Sequence, residues 1–270
     1  MKEREYELNP GQELQAFLEE LYPQDPPKQE AFAYKLDGLF GEDGELAHLM
    51  YKSAINYAVR RLITAAAFLD RKYKNQPNTK FFVKLREYLK DNLRLLKDRD
   101  REKIHALLRQ CIEAKNREVK PKRKQSIRRQ AIDQNLNCYI CGCEIDFESS
   151  CQYNSPEIEH LWPQNLGGWS DYVNLKIACH QCNQNKKDYI DFSDFHYEEI
   201  SLVSNNNEDS FMKEMNRLYR IALWSKNEYK CVICDRPASQ VGELKLYRDD
   251  PDDTWHFLNI SAYCEKHYPG

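Results

Sequence analysis

The chain has 270 residues and a formal net charge of −3, from 40 Lys and Arg against 43 Asp and Glu. That length suits one large or two small domains, and a content of 41% hydrophobic and 31% charged residues excludes a wholly disordered chain. No apolar run approaches the ~18 residues of a membrane-spanning helix, and the first residues lack the apolar stretch of a signal peptide. We therefore expect a cytoplasmic protein.

The first 112 residues predict a helical accessory domain. Prolines and glycines interrupt residues 1–44, which favours short elements and loops. From Glu45 to about Lys74, apolar residues recur at three- and four-residue steps, a pattern typical of one long amphipathic helix. A second helical stretch runs to Ile112, with a break expected near Asp98, and the two can pack as a hairpin or small bundle. This domain carries no catalytic cluster and is expected to dock a protein partner or regulator.

A short basic segment follows at residues 113–130. It carries eight basic and two acidic groups, whereas residues 131–190 and 191–270 have net charges of −5 and −6. It contains little apolar material, so we expect a linker or the lead-in helix of the next domain. A charge run taken alone is most simply solvated, but beside the motifs described next it favours contact with nucleic-acid phosphates. The residues expected to make that contact are Lys120, Lys122, Arg123, Lys124, Arg128 and Arg129.

Residues 131–190 are rich in Cys, Asn and His. Cys138-x-x-Cys141 and Cys179-x-x-Cys182 are separated by 37 residues. Because the cytosol keeps thiols reduced, such pairs indicate metal rather than disulfides. Four thiolates are a donor set of closed, structural zinc sites. The sequence therefore predicts a zinc ion held by these four cysteines.

A second pattern lies between and after these cysteine pairs. The stretch Glu157-Ile-Glu159-His160-Leu-Trp-Pro precedes Asn174-Leu, and Asn183-Gln-Asn-Lys directly follows the last cysteine. With the cysteines, this order resembles the HNH endonucleases, whose pattern is Cys-x-x-Cys, an acidic-His-x-x-Pro strand, Asn-Leu, and Cys-x-x-Cys-Asn-x-x-Lys. The resemblance covers about residues 129–190. It implies the ββα-metal core of that family and metal-dependent hydrolysis of phosphodiester bonds in DNA.

The resemblance also implies a role for each residue of the pattern. His160 would be the general base that activates water, a task suited to a side chain that titrates near neutral pH. Glu159 and Asn183 would hold the catalytic Mg²⁺ or Mn²⁺, because these ions favour oxygen donors. Asn174 would order the loop. The lysines expected near phosphate are Lys186 and Lys187.

Neighbouring residues leave alternatives open. Glu157 shares a strand face with Glu159 and is a secondary candidate for the ion. His180 lies between the cysteines of the second pair and is expected to pack or to face solvent. The pattern has Glu159 where many members have Asp, and Asn183 where others have His, so the preferred ion stays open.

The last part of the chain, residues 191–270, contains a second cysteine cluster. Cys231-x-x-Cys234 is followed after 29 residues by Cys264-x-x-His267. Three Cys and one His form a closed structural set, so we expect a second zinc that stabilises a small module with little core of its own. The three cysteines outside both sets are Cys111, Cys143 and Cys151.

Secondary structure is also expected in this last part. A helix is predicted from Asp209 to Ser225, and strands near 244–247 and 255–260. The cysteine pairs that begin at Cys138 and Cys231 both follow a basic helical segment. This weak echo is consistent with duplication or with convergent zinc-knuckle geometry.

These patterns together predict an α+β protein with four parts. They are a helical accessory domain (1–112), a basic linker or lead-in helix (113–130), an HNH core with structural zinc (131–190), and a helix with a second zinc module (191–270). The predicted function is a metal-dependent HNH endonuclease acting on DNA. By analogy with small HNH proteins that carry an extra helical region, it is expected to act in bacterial anti-phage or restriction systems. The alternative is a non-catalytic double-zinc adaptor that binds nucleic acid or protein.

Overall fold

The computed structural model describes residues 8–24, 44–148, 153–197, 200–202 and 215–270. These residues form helices and small two-stranded sheets, which confirms the α+β class. They divide into two compact units, one containing the described residues up to 119 together with 160–174, and the other containing the remainder. Within these ranges, none of the helices combines the length and apolar character needed to span a membrane.

The first unit is helical. Its helices are α1 (Pro10–Leu21), α2 (Glu45–Lys72), α3 (Asn78–Asn92) and α4 (Asp98–Lys115). Local sequence explains where α1 begins. The backbone N–H of Asn9 donates to the Gln12 side chain at 3.1 Å, and Pro10 occupies the first helical position, where its missing N–H costs nothing.

Helix α4 lies at the centre of the core of the first unit. It contacts the other three helices, and Leu108 and Cys111 on its apolar face are fully buried. Burial raises the pKa of the Cys111 thiol, so this cysteine is a packing residue. Residues 160–174 pack on the same unit: a Cβ on Gly11 of α1 would lie 1.9 Å from the carbonyl oxygen of Leu166. Only glycine allows so close an approach.

The second unit mixes short strands and helices. In chain order these are α5 (Pro121–Asp133), β1 (Pro156–His160), β2 (Leu175–Cys179), α6 (His180–Lys186), β3 (Ser201–Leu202), α7 (Arg217–Lys226), α8 (Ala238–Val241), β4 (Lys245–Arg248), β5 (Trp255–His256) and β6 (Ile260–Tyr263). The last residue of β1, His160, belongs to the first unit. Helix α7 contacts α6 and β6, and its Ile221 and Leu223 are fully buried.

The strands form three pairs among the described residues. β1 pairs with β2. β3 and β5 are antiparallel, with Ser201 opposite His256. β4 and β6 are also antiparallel, with Lys245 opposite Tyr263. β4 agrees with the strand expected near 244–247. The strand expected near 255–260 is instead divided into β5, a 3-10 turn at Phe257–Asn259, and β6, which begins at Ile260.

The turn that carries the first cysteine pair is anchored to the C-terminal part of the second unit. The backbone N–H of Leu244 donates to the carbonyl of Cys141 at 3.3 Å. Gly142 has a φ of 77°, and a Cβ there would lie 1.9 Å from the carbonyl oxygen of Gly242. A side chain at position 142 is therefore excluded by backbone conformation and by space.

Most of the predicted helices are found near their expected bounds. The long helix from Glu45 ends at Lys72, and the second stretch is interrupted at 93–97, just before Asp98. The basic segment predicted at 113–130 is divided: its first three residues end α4, and residues 121–130 form most of α5. The first residues of the helix predicted from Asp209 lie outside the described residues, as does Cys151; the described helix begins at Arg217.

Candidate functional site

The first cysteine cluster has the geometry of a metal site. The Sγ atoms of Cys138, Cys141, Cys179 and Cys182 all lie within 4.8 Å of one another, and all four residues are buried. Tetrahedral zinc with bonds of about 2.3 Å needs sulfur atoms about 3.8 Å apart, and the Cys141 and Cys179 sulfurs are 4.0 Å apart. The four predicted ligands therefore fit a zinc ion.

The second cluster joins Cys231, Cys234, Cys264 and His267, whose donor atoms also lie within 4.8 Å of one another. Nδ1 of His267 lies 3.3 Å from the Cys264 sulfur and 3.6 Å from the Cys231 sulfur. Burial opposes ionisation of Cys231, but backbone N–H donors and His267 lower the pKa of its thiol to about 6. A thiolate that forms readily near neutral pH suits metal binding.

The two cysteine turns have the same backbone hydrogen bonds. In the first, Cys138 N–H donates to the carbonyl five residues later (2.9 Å), and the N–H of Gly142 returns to Cys138 (2.8 Å). In the second, Cys231 makes the equivalent pair at 3.1 and 2.9 Å with Arg236 and Asp235. Gly142 and Asp235 both have positive φ. The sequence similarity between the two cysteine pairs thus corresponds to the same backbone turn. That turn brings both sulfurs of a pair to one candidate metal site.

Arg217 at the start of α7 faces the first cluster. Its Nη2 donates to the Cys182 sulfur at 3.1 Å and lies 4.0 Å from that of Cys179. Burial opposes the charged form most strongly, yet the neighbouring thiolates raise the pKa of Arg217 above its usual value. A zinc ion with four thiolates has a net charge of −2, and this guanidinium would offset part of that charge.

The β1, β2 and α6 segment places three polar side chains together. On α6, His180 and Asn183 lie one turn apart and share a face. Glu157 of β1 lies against both: Oε1 contacts His180 Nδ1, and Oε2 accepts from Asn183 Nδ2. The Glu157 and His180 side chains are 28% and 38% exposed, so this cluster is open to solvent.

Glu159 lies elsewhere, in the interior of the second unit. Its Oε1 accepts from Lys186 Nζ at 2.9 Å and its Oε2 accepts from the Tyr139 hydroxyl. Burial raises the pKa of Glu159, and Lys186 and Tyr139 act in the opposite direction. The structure therefore does not bring Glu159 and Asn183 together; Glu157 is the carboxylate hydrogen-bonded to Asn183.

His160 ends β1 and makes a defined hydrogen bond. Its Nε2 lies 3.1 Å from Ser170 Oγ, which donates its own proton to the backbone carbonyl of Arg117 at 2.9 Å. Because that hydroxyl has one proton and gives it to the carbonyl, its oxygen must accept from His160. Nε2 therefore carries a proton, and in the neutral ring the lone pair is on Nδ1.

Asn174 is buried and ties the ends of the loop that follows β1. Its Oδ1 accepts from the backbone N–H of Trp162 at 2.7 Å. Its Nδ2 donates to the carbonyls of Trp162 and Trp169, both at 3.0 Å. All these partners belong to the segment that presents His160, which is the geometry expected of a loop-ordering residue.

The basic residues of α5 occupy several faces of that helix. Lys124 and Arg128, one turn apart, line a cavity of about 400 Å³ together with Glu157 of β1. The other basic residues of segment 113–130 that are predicted to contact phosphate lie at other positions on or next to this helix. Lys187, directly after α6, is exposed. Lys186 differs from the prediction of a phosphate contact: it is 1% exposed because its ammonium is paired with Glu159.

Sequence reasoning missed Tyr139, Ser170 and Arg217. Tyr139 and Ser170 carry no motif, and Arg217 is brought to the cysteines only by tertiary packing. The burial of Lys186 did have a signal, since Asn183 and Lys186 are three residues apart and must share the helix face that meets β1.

Comparison with known proteins bears on one part of the chain. Residues 138–189 match a family described as HNH endonuclease. No curated protein and no solved structure matches the chain. The matched range contains the first cysteine cluster and the β1, β2 and α6 elements, and it ends before the second cluster.

Proposed function

Because residues 138–189 match the HNH endonuclease family, we propose that this protein is a metal-dependent nuclease that hydrolyses phosphodiester bonds in DNA. His160 is the general base, and Asn183 with a carboxylate of β1 holds the divalent ion. The observation that carries the proposal is the hydrogen-bond chain from His160 through Ser170 to the Arg117 carbonyl. That chain orients the imidazole and leaves its other nitrogen, Nδ1, to accept a proton, as general-base catalysis requires.

The base acts through Nδ1 of His160. This atom takes a proton from water, and the oxygen of that water attacks the phosphorus. The bond from phosphorus to the leaving oxygen breaks, and the leaving oxygen takes a proton from solvent. Ser170 keeps the neutral ring in one tautomer before Nδ1 takes the proton, and Asn174 keeps the loop that carries the ring in one conformation.

The oxygen donors of this segment suit a divalent ion. Asn183 offers an amide oxygen and β1 offers carboxylates, which are hard donors preferred by Mg²⁺ and Mn²⁺. When bound, such an ion stabilises negative charge on the phosphate and the leaving oxygen. The two cysteine clusters have a separate role, since four protein ligands leave no open position for substrate.

Plasmid cleavage tests the function. Supercoiled DNA is incubated with the full chain and Mn²⁺, Mg²⁺ or EDTA, and zinc is quantified on the same samples. His160→Ala should lower the cleavage rate by about 10²- to 10⁴-fold, the usual contribution of a general base, with two zinc ions per chain retained. His48→Ala, at an exposed position of α2, is the matched control and should cut like the wild type.

Two results would overturn the proposal. One is an unchanged cleavage rate in His160→Ala, which would remove His160 as the base. The other is the lack of metal-dependent cutting by a wild-type protein that retains both zinc ions, which would favour the adaptor.

A further inference from the structure

Glu157 is the carboxylate that faces Asn183, three residues before His160. It also contacts His180, the first residue of α6. We propose that the divalent ion of this nuclease is held by Glu157, His180 and Asn183, and that Glu159 is a structural residue. This inference rests on the proposed function and names the ligands of that site.

The surroundings of Glu159 argue against a ligand role. Its side chain is 5% exposed and that of Lys186 is 2% exposed. To bind an ion, Glu159 would have to leave Lys186, and the ammonium would stay buried without its counter-charge. Leaving one member of a buried pair uncompensated is strongly unfavourable.

The cluster of Glu157, His180 and Asn183 has the donors that an ion needs. Glu157 supplies a carboxylate that already meets both neighbours. A half-turn about the last torsion of Asn183 exchanges Nδ2 for Oδ1, which then faces the same point as the carboxylate. The backbone N–H of His180 donates to the Ser155 carbonyl at 2.9 Å, which holds the first residue of α6 beside the start of β1.

A cavity also lies beside one member of this cluster. Glu157 lines a cavity of about 400 Å³ that Lys124 and Arg128 of α5 also line. Both cations are exposed, and Arg128 is oriented by a 3.2 Å hydrogen bond to the Phe147 carbonyl. The volume is ample for a phosphate and several waters of about 30 Å³ each. A phosphodiester in this cavity would meet the two positive charges of α5 beside Glu157, one of the three proposed ligands.

The donor set also predicts which ion is preferred. An imidazole nitrogen beside two oxygens favours Mn²⁺ and other transition ions over Mg²⁺, which prefers oxygen alone. Without His180 the site would retain two oxygen donors. Its preference should then move towards Mg²⁺.

Mn²⁺ binding to the zinc-loaded full chain tests the ligand set independently of cleavage. Electron paramagnetic resonance of free Mn²⁺ gives the affinity of each variant. Glu157→Gln should weaken binding by at least about tenfold, as loss of a metal-site contact does. His180→Asn should reduce the preference for Mn²⁺ over Mg²⁺. Glu144→Gln, at an exposed carboxylate of the same unit, is the control and should bind like the wild type.

The outcomes separate this inference from the proposed function. Wild-type Mn²⁺ affinity in Glu157→Gln would overturn the ligand set, whether or not Glu159→Gln folds. Loss of binding in a folded Glu159→Gln, with Glu157→Gln unaffected, would overturn it in favour of Glu159. Loss of binding in Glu157→Gln by a protein that never cuts DNA would support the site and overturn only the nuclease.

Discussion

Breaking the buried pair of Lys186 and Glu159 should destabilise the second unit by about 3–5 kcal/mol. That is the usual cost of removing one partner of a buried ion pair, because the other charge is left uncompensated, and here both side chains are at most 5% exposed. Lys186→Met leaves Glu159 with only the Tyr139 hydroxyl. In the double variant with Glu159→Gln neither charge remains, and Tyr139 still has an oxygen that accepts its proton. The double variant should therefore recover at least about 2 kcal/mol of the sum of the two single losses.

Urea unfolding of the full chain at one fixed excess of zinc measures these free energies, since bound metal contributes to apparent stability. Hydrogen exchange of β1 and α6 shows whether the loss arises in the second unit. Single losses below about 1 kcal/mol, the range of solvent-exposed pairs, would refute the reasoning. So would single losses that add in the double variant without recovery.

Three further predictions use other parts of the chain. Ser170→Ala removes the acceptor of the His160 Nε2 proton and should lower kcat about 10- to 100-fold with little change in KM; Ser170→Thr should restore the rate and the pH profile, and failure of this rescue would remove the positioning role. Burial lowers the pKa of His105, although its bond to the Phe82 carbonyl acts oppositely. Its stabilising contribution is therefore present above about pH 6.5 and is lost as pH falls through the folded pKa; His105→Gln should reduce the acid loss of stability seen by thermal unfolding between pH 7.5 and 5.5, and an unchanged loss would contradict it. Cys264→Ser should lower zinc content from two ions per chain to one, and two ions retained would exclude the second ligand set.

The two cysteine clusters and the helices were predictable because each depends on a local sequence pattern. A Cys-x-x-Cys pair fits only a tight turn, and two such pairs fit few structures other than a metal site. The apolar period of α2 extends over most of its 28 residues, enough to identify a helix without tertiary information.

The sequence alone could not decide whether Glu157 or Glu159 lies beside Asn183. Residues two apart on a strand share a face, so alternation places both towards α6 and cannot tell which meets Asn183. The answer depends on where Lys186 lies and on Tyr139, which enters from the cysteine turn. The sequence also could not identify Ser170 as the acceptor of the His160 proton. Ser170 and Arg117 are 53 residues apart and meet only in the folded unit.

The family match ends at residue 189, yet the turn that carries Cys141 and Gly142 is anchored by Leu244 and Gly242. The segment that matches the family is therefore shorter than the segment that supplies the contacts of its cysteine turn. A fragment cut after residue 190 would lose the backbone donor to Cys141 and the wall against Gly142, together with Arg217 beside the thiolates. Transferring the HNH segment to another protein would thus require the C-terminal residues as well, although they carry none of the proposed catalytic groups.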